Sequence, residues 1–247
     1  SGVMNYVRLI NGAFSTKPTS EWEEPDPIPW QAIMGREGNI YETYDEFMET
    51  EGNPDWPSIA VYFYRDEWIM GDIEYQQALF EEIYKHQYNP IIFYGQYGSN
   101  PRVGIPNMKL SMNHLFGKDD FPFDVLINTC KFSFQSLGAQ TLEELKLQDV
   151  PIVQGYTIYM DEKTWAADPQ GVTPLDVNLS ISQPELDGVI QGGVVACQTF
   201  DERGHYVYLP VKERIAAVVQ RAIKWSKLRH IPVSERKIAI VLHNYPP

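Results

Sequence analysis

Continuous apolar runs alternate with amphipathic segments in the middle of the chain. Residues 58–66 read SIAVYFYRD and residues 90–95 read PIIFYG, two runs rich in β-branched and aromatic side chains. Such runs, without polar alternation, predict strands that are covered on both faces. Between them, residues 72–87 carry apolar side chains every four positions from Tyr75, which predicts a helix with one buried face.

The same alternation continues through the next sixty residues. Helical patterns occupy 109–117 and 141–149, and strand-like runs occupy 123–129 and 150–158. Strands that alternate with helices predict an α/β unit over residues 57–160, with a mainly parallel, doubly wound sheet of the Rossmann-like or flavodoxin-like class. Ligands of such sheets bind at the carboxyl ends of the strands.

The N-terminal region has a different composition. Residues 1–56 are rich in proline and acidic residues, as in TSEWEEPDPIP at 19–29. This composition predicts an irregular, extended segment that lies over a neighbouring domain, with one short helix at 43–52.

Residues 161–247 begin with a loop-rich insert and continue with further apolar runs. VNLSI at 177–181 and VIQGGVVAC at 189–197 both resemble strands, and the glycines of the second run predict a bulge or a close backbone contact. The strongest helical pattern of the chain runs from Pro210 to Arg229, and KIAIVLHNYPP at 237–247 predicts a final strand. These elements are expected to complete the sheet or to start a second α/β unit.

The charge balance excludes some classes of partner. The chain has 33 acidic and 20 basic residues, a net charge of −13, which disfavours binding to nucleic acid or to an anionic membrane surface. It has no apolar run of the ~18 residues that a membrane span needs and no signal-peptide pattern, so a cytoplasmic location is expected. Cys130 and Cys197 are far apart in sequence, which favours two buried thiols over a disulfide.

Two acidic residues lie between the strand-like runs of the last third. Glu185 and Asp187 follow Pro184. Two carboxylates in a partly desolvated cleft would raise one pKa, which suits proton removal from a pyrrole-type nitrogen or weak metal coordination. The alternative is a tight turn in which Asp187 bonds its own backbone before Gly188.

Other catalytic motifs are missing from the sequence. It contains no G-x-G-x-x-G, no phosphate loop and no G-x-S-x-G, and its histidines are scattered singly. Among them His243 has a position of interest, because it lies at the carboxyl end of the last predicted strand.

Four ordered motifs nevertheless resemble one family. Residues 171–195 contain G-V-T-P-L-D and P-E-L-D-G, and residues 212–247 contain W-S-K-L-R and K-I-A-I-V-L-H-N-Y-P. In this order they closely resemble the large subunits of cobaltochelatase and magnesium chelatase, and a weaker likeness extends from residue 28.

The resemblance implies an internal domain of a large subunit that binds a cyclic tetrapyrrole and a divalent metal as substrates. Separate ATP-hydrolysing ring subunits would drive the insertion of cobalt, as in cobalamin biosynthesis, or of magnesium, so ATP would act only through these partners. Relatives linked to haem uptake are instead proposed to remove iron. The chain is expected to be inactive without the remaining domains of the same polypeptide.

The resemblance also implies roles for individual residues. Glu185 is the candidate base and metal ligand, Asp187 orients it, and His243 contacts the ring or the metal. Three strand-end tyrosines are candidates to stack on the flat ring, with core packing as the alternative: Tyr64, Tyr94 and Tyr156.

Two other functions stay open at this point. The chain could be a non-catalytic scaffold or subunit-docking domain in which P-E-L-D-G is only a turn. It could also be part of a two-lobed small-molecule binding protein of the periplasmic type, which uses the same parallel sheet.

Overall fold

One eight-stranded sheet organises the protein. The computed structural model describes residues 28–242 apart from 97–99, 101, 103, 118–120, 135–142, 144 and 147–148. The strand order is β2-β1-β4-β3-β5-β6-β7-β8. The strands are β1 (Ala32–Met34), β2 (Ile40–Tyr41), β3 (Ser58–Tyr64), β4 (Asn89–Gly95), β5 (Val125–Asn128), β6 (Ile152–Ile158), β7 (Ile190–Phe200) and β8 (Tyr206–Pro210).

The five strands from β4 to β7 in this order are parallel, whereas β1, β2 and β8 pair antiparallel at the two sides. Counted along the chain, the parallel strands have the order 2-1-3-4-5, which is the flavodoxin-like arrangement. The predicted α/β class is therefore confirmed. In this order the winding changes direction between β3 and β5, so a crevice is expected at their carboxyl ends.

Helices cover both sides of the sheet. They are α1 (Tyr44–Thr50), α2 (Arg65–Met70), α3 (Glu74–Lys85), α4 (Met108–Phe116), α5 (Glu162–Ala167), α6 (Pro174–Asp176), α7 (Gln183–Leu186) and α8 (Lys212–His230), with a π-helix (Val177–Ser182) between α6 and α7 and a short 3-10 turn (Val233–Glu235). The helices predicted at 43–52, 72–87, 109–117 and from Pro210 are confirmed as α1, α3, α4 and α8. No helix in the described part of the chain is long and apolar enough to cross a membrane.

The burial of the central strands explains why their sequences are continuous apolar runs. Side chains of β3 from Ser58 to Phe63 and all of β4 are buried, because neighbouring strands and helices cover both faces. The helix α8 buries the stripe that includes Ile215, Val218 and Ala222 against the sheet and α3.

The prediction of a strand at 177–181 is wrong. These residues form the π-helix, which continues α6 without a break. Thr173 caps this helical segment by accepting a hydrogen bond from the Asp176 amide, and Pro174 occupies its first turn. The segment lies in the connection between two parallel strands, β6 and β7, where helical crossovers are typical. The cap and this topology outweigh the β propensity of Val177 and Ile181.

The prediction of a strand at 237–247 is wrong for residues 237–242. They have no regular structure, and Ile238, Ile240 and Leu242 are more than 80% exposed. A strand needs a neighbour for its backbone hydrogen bonds, and the described part of the sheet offers none beside these residues. Residues 243–247 are outside the described part of the chain.

Two short strands lie within the region predicted to be irregular. The strand β1 pairs antiparallel with β4 and with β2, so this part of the N-terminal region extends the sheet. Residues 1–27 are outside the described part. Of the helix predicted at 141–149, residues Glu143, Leu145 and Lys146 are helical, and most of the others are outside the described part.

Candidate functional site

A cleft of about 420 Å³ opens at the carboxyl ends of the central strands. This is the edge at which a sheet with this strand order binds ligands. Its walls are aromatic, and four acidic or basic side chains contribute to its lining: Asp66, Glu67, Asp72 and Lys131. Four of the lining residues are tyrosines: Tyr64, Tyr159, Tyr206 and Tyr208.

Glu67 is a carboxyl group that favours its protonated form. It lies on α2, directly after β3, and burial raises its pKa to about 8. Its Oε2 atom accepts hydrogen bonds from the Tyr75 hydroxyl and from Gln76 Nε2, both at 2.6 Å. The Tyr75 hydroxyl also lies 3.1 Å from Oγ1 of Thr129, the residue that follows β5. Hydrogen bonds through the Tyr75 hydroxyl therefore connect Glu67 to the carboxyl end of the central strand β5.

Lys131 carries a buried ammonium group. It lies in the loop after β5, where its Nζ donates a 2.8 Å hydrogen bond to the Thr157 carbonyl and lies 3.4 Å from Oδ1 of Asp176. The ring of Tyr159 lies 3.4 Å from Nζ, a cation–π contact. Burial lowers the pKa of Lys131 to about 8, although the carboxylate of Asp176 acts in the opposite direction.

Neither Glu67 nor Lys131 was predicted from the sequence as a site residue. The only available signal was their position, because each follows a predicted buried strand at the edge where this fold places ligands. Their burial depends on residues distant in sequence and had no local signature.

The three predicted tyrosines are not brought together. Tyr64 lines the cleft, and its hydroxyl accepts a hydrogen bond from the Lys131 amide and donates one to the Lys131 carbonyl. Tyr94 is fully buried and stacks on Trp68 in the core. Tyr156 is half-buried, and its hydroxyl donates to Oε1 of Gln191.

Neither acid of the P-E-L-D-G motif lines the cleft. Asp187 is buried: its Oδ1 accepts a 2.9 Å hydrogen bond from the Ser133 hydroxyl, and its Oδ2 accepts one from the Phe134 amide. Glu185 is exposed, and its carboxylate has no hydrogen bond or ion pair with the residues that the structure describes. The two predicted acids therefore have different environments, one saturated by the protein and one open to solvent.

Glu185 is close enough to Tyr156 to affect its titration. Burial raises the pKa of Tyr156 to about 12, and the negative charge of Glu185 contributes in the same direction. Within the described residues, no three His, Cys, Asp or Glu side chains form a group that could hold a metal ion. His243, the remaining predicted site residue, is outside the described part of the chain.

Comparison with known proteins connects this fold to one family. A family model described as CobN/magnesium chelatase matches residues 2–247. An uncharacterized protein of Methanocaldococcus jannaschii is 30% identical over 265 residues, an alignment that covers 100% of this chain and 21% of the relative. The aerobic cobaltochelatase subunit CobN of Pseudomonas aeruginosa is 24% identical over 240 residues, covering 91% of this chain and 18% of the relative.

A solved structure has the same fold. The catalytic subunit of cobaltochelatase from Mycobacterium tuberculosis superposes with a TM-score of 0.66 at 22% identity, over 92% of this chain and 18% of that chain. The chain therefore spans about a fifth of the length of these relatives.

Proposed function

The chain belongs to the CobN/magnesium chelatase family, and we propose that it forms one domain of a large subunit that binds a cyclic tetrapyrrole. The observation that carries this proposal is the family match over residues 2–247. The rest of the large subunit would complete the tetrapyrrole cavity, and separate ATP-hydrolysing ring subunits would supply the energy. The substrates would be the macrocycle and a divalent metal, with Co²⁺ or Mg²⁺ inserted or iron removed from haem.

Metal insertion requires a group that accepts protons from the inner nitrogens of the macrocycle. Glu185 is the best candidate, because its carboxylate is exposed and uncommitted within the described residues. Asp187 lies two residues further on and is anchored by Ser133 and Phe134, so it would orient the turn that carries Glu185. As an oxygen ligand, Glu185 could also hold the incoming metal ion transiently.

Glu67 and Lys131, which line the cleft, fit this role less well. Glu67 accepts two hydrogen bonds on one oxygen, and Lys131 contacts a carbonyl, a carboxylate and a tyrosine ring. Both are held by protein contacts at the wall. Because Glu185 lies in the P-E-L-D-G motif that carries the family resemblance, we assign proton transfer to it. The cleft, with Tyr64 on its wall, would offer a surface on which the ring could stack.

The test is Glu185→Gln in the complete polypeptide with its ATPase partners. Metal insertion into a water-soluble porphyrin can be followed by absorbance, and porphyrin binding by fluorescence quenching. We expect the insertion rate to fall about 100-fold or more, with a porphyrin Kd close to that of the wild type, because the substitution removes a base and little contact area. Glu202→Gln changes an exposed acid in the turn between β7 and β8 and is the matched control.

The possible outcomes separate the two parts of the proposal. Full activity of Glu185→Gln would remove Glu185 from the mechanism. A complete polypeptide that binds no porphyrin or corrinoid would contradict the tetrapyrrole role itself.

One observation favours a docking role as the second candidate. Residues 238–242 include four apolar side chains that are each more than 80% exposed: Ile238, Ile240, Val241 and Leu242. Contiguous exposed apolar surface of this kind indicates a contact region. In the docking alternative, Ile240→Lys would abolish assembly with the ATPase partners in a pull-down. Substitution of Glu185 would then leave the rate of metal insertion unchanged.

A further inference from the structure

The loop after β5 is fastened to the helical segment before β7 at three points. We call residues 131–134 the β5 loop and residues 174–187 the crossover segment. At Asp176 the contact is Lys131 Nζ to Oδ1 at 3.4 Å, and at Leu179 it is the Phe132 amide to the carbonyl at 2.7 Å. At Asp187 the Ser133 hydroxyl donates to Oδ1 at 2.9 Å and the Phe134 amide donates to Oδ2. Asp176 and Asp187 lie near the two ends of the crossover segment, so the β5 loop contacts the crossover segment along most of its length.

The first contact is unusual because it is a buried pair of charges. The side chains of Lys131 and Asp176 are 5% and 1% exposed. Desolvation makes such a pair a poor source of stability compared with apolar residues of the same size. Its presence is better explained by specificity, because two charges and their hydrogen bonds allow only one alignment of the β5 loop against the crossover segment.

The middle of the crossover segment has a backbone conformation that surrounding contacts must stabilise. Val177–Ser182 forms a π-helix, a rare conformation that is found mostly as single turns and frequently at functional sites. Within it, the buried hydroxyl of Ser180 has no hydrogen-bond partner among the described residues. A buried polar atom without a partner costs stability, so the surrounding contacts must hold this conformation in place.

Glu185 lies within the crossover segment, in its last helical turn before Asp187. We infer that Lys131, Ser133 and Asp176 are positioning residues, which fix the crossover segment so that the Glu185 carboxylate is presented in one place. This inference rests on the role proposed for Glu185. None of the three touches the reacting atoms in this proposal, and they act only through the crossover segment.

The inference predicts a particular kinetic change. In the complete polypeptide, Lys131→Met and Asp176→Asn are each expected to lower kcat for metal insertion about 10- to 100-fold, the range typical for residues that orient a functional group. The KM for the porphyrin should not change, and the pH profile should keep its shape because the proton-accepting group is still Glu185. Lys85→Met removes the lysine of an exposed ion pair with Glu82 and is the matched control.

A double variant separates positioning from general damage. If Lys131 acts only through Glu185, then Lys131→Met adds no further loss in a Glu185→Gln background. The same fold-loss in both backgrounds would overturn the inference, as would full activity of Lys131→Met beside an inactive Glu185→Gln. Full activity of Glu185→Gln would instead contradict the proposed function, so the two failures are distinguishable.

A milder variant serves as a control for impaired folding. Ser133→Ala removes one hydroxyl and no charge, so it tests the inference if Lys131→Met does not fold. We expect about a tenfold lower kcat and faster hydrogen exchange of the amides in residues 177–187. Ser133→Thr keeps the hydroxyl and should recover both properties, and failure of Ser133→Ala to change either would contradict the inference.

Discussion

The ammonium group of Lys131 lies 3.4 Å from Oδ1 of Asp176, although the two residues are 45 positions apart in sequence. The pair joins the loop after a central strand to the start of the helical crossover before β7. Asp176 also accepts a 2.7 Å hydrogen bond from the Thr173 hydroxyl. One carboxylate therefore holds the beginning of the crossover segment and neutralises the lysine beside the cleft.

Removal of the Asp176 carboxylate should destabilise the folded protein. Asp176→Ala leaves the ammonium of Lys131 buried without its counter-charge, and we expect the free energy of unfolding to fall by about 3–5 kcal/mol. The double variant Lys131→Met/Asp176→Leu buries no charge and should recover more than half of that loss. Urea unfolding followed by circular dichroism measures both. Equal losses in the two variants would show that the buried charge is not the cause.

Stability should fall as the pH rises from about 5 to 8. The pKa of Glu67 is raised to about 8 in the folded protein, above its ordinary value of 4.5, so in this range the folded state keeps a proton that the unfolded state releases. One such group lowers the unfolding free energy by up to about 1.4 kcal/mol per pH unit. Glu67→Gln cannot ionise and should flatten the curve of urea midpoint against pH, whereas Glu202→Gln should leave its slope unchanged.

Lys131 should have the opposite effect above pH 8. Its pKa is lowered to about 8 from 10.5, so its contribution to stability is present above 10.5 and is lost as the pH falls through 8. Between pH 5 and 8 the lysine is mostly protonated in both states, and the slope there reports on Glu67. Lys131→Met isolates this effect: between pH 8 and 10.5 the unfolding free energy of the wild type should rise relative to that of the variant by up to about 1.4 kcal/mol per pH unit, as measured by urea unfolding.

Two adjacent glycines should respond differently to alanine. A Cβ on Gly192 would lie 2.2 Å from the Gln154 carbonyl oxygen, whereas on Gly193 its nearest contact would be Val218 at an ordinary 3.5 Å. Gln154 pairs with Gln191 and Gly155 pairs with Gly193, so Gly192 is the extra residue of a bulge. We expect Gly192→Ala to cost about 2 kcal/mol or more and Gly193→Ala to be close to neutral, as measured by thermal unfolding. Similar midpoints for both would contradict the close contact.

Both thiols should be unreactive in the folded protein. Cys130 and Cys197 are free and buried, and burial raises the pKa of Cys197 to about 12 and that of Cys130 well above its usual range. The thiolate is the reactive form, so a disulfide reagent such as DTNB should modify neither cysteine in buffer and both in guanidinium. Rapid modification of the native chain would show that one of them is accessible.

Much of the fold could be predicted because its signals are local. The runs at 58–66, 90–95, 123–129 and 150–158 are mostly apolar and lack regular polar alternation, since a strand inside a parallel sheet is covered on both faces. The alternation of strands and helices was then sufficient for the doubly wound class. The ordered motifs near P-E-L-D-G were sufficient for the family resemblance, which the family match over residues 2–247 confirms.

The site could be predicted only in part. The acids after Pro184 were visible as residues, but nothing in their spacing showed that the carboxylate of Asp187 is saturated by Ser133 and Phe134 while that of Glu185 is exposed. Partners more than fifty positions away determined this difference. Glu67 and Lys131 were missed for the same reason, because desolvation depends on what packs against a side chain.

The pattern along the chain decided which residues enter the core and in what order strands and helices follow, because both depend on the periodicity of neighbouring side chains. Tertiary structure decided the conformation of residues 177–181, which have the composition of a strand and form a π-helix. It also decided the environment of every ionisable group discussed above. Those outcomes depend on contacts between distant segments, and hydrogen bonds and burial across such distances leave no mark on the local sequence.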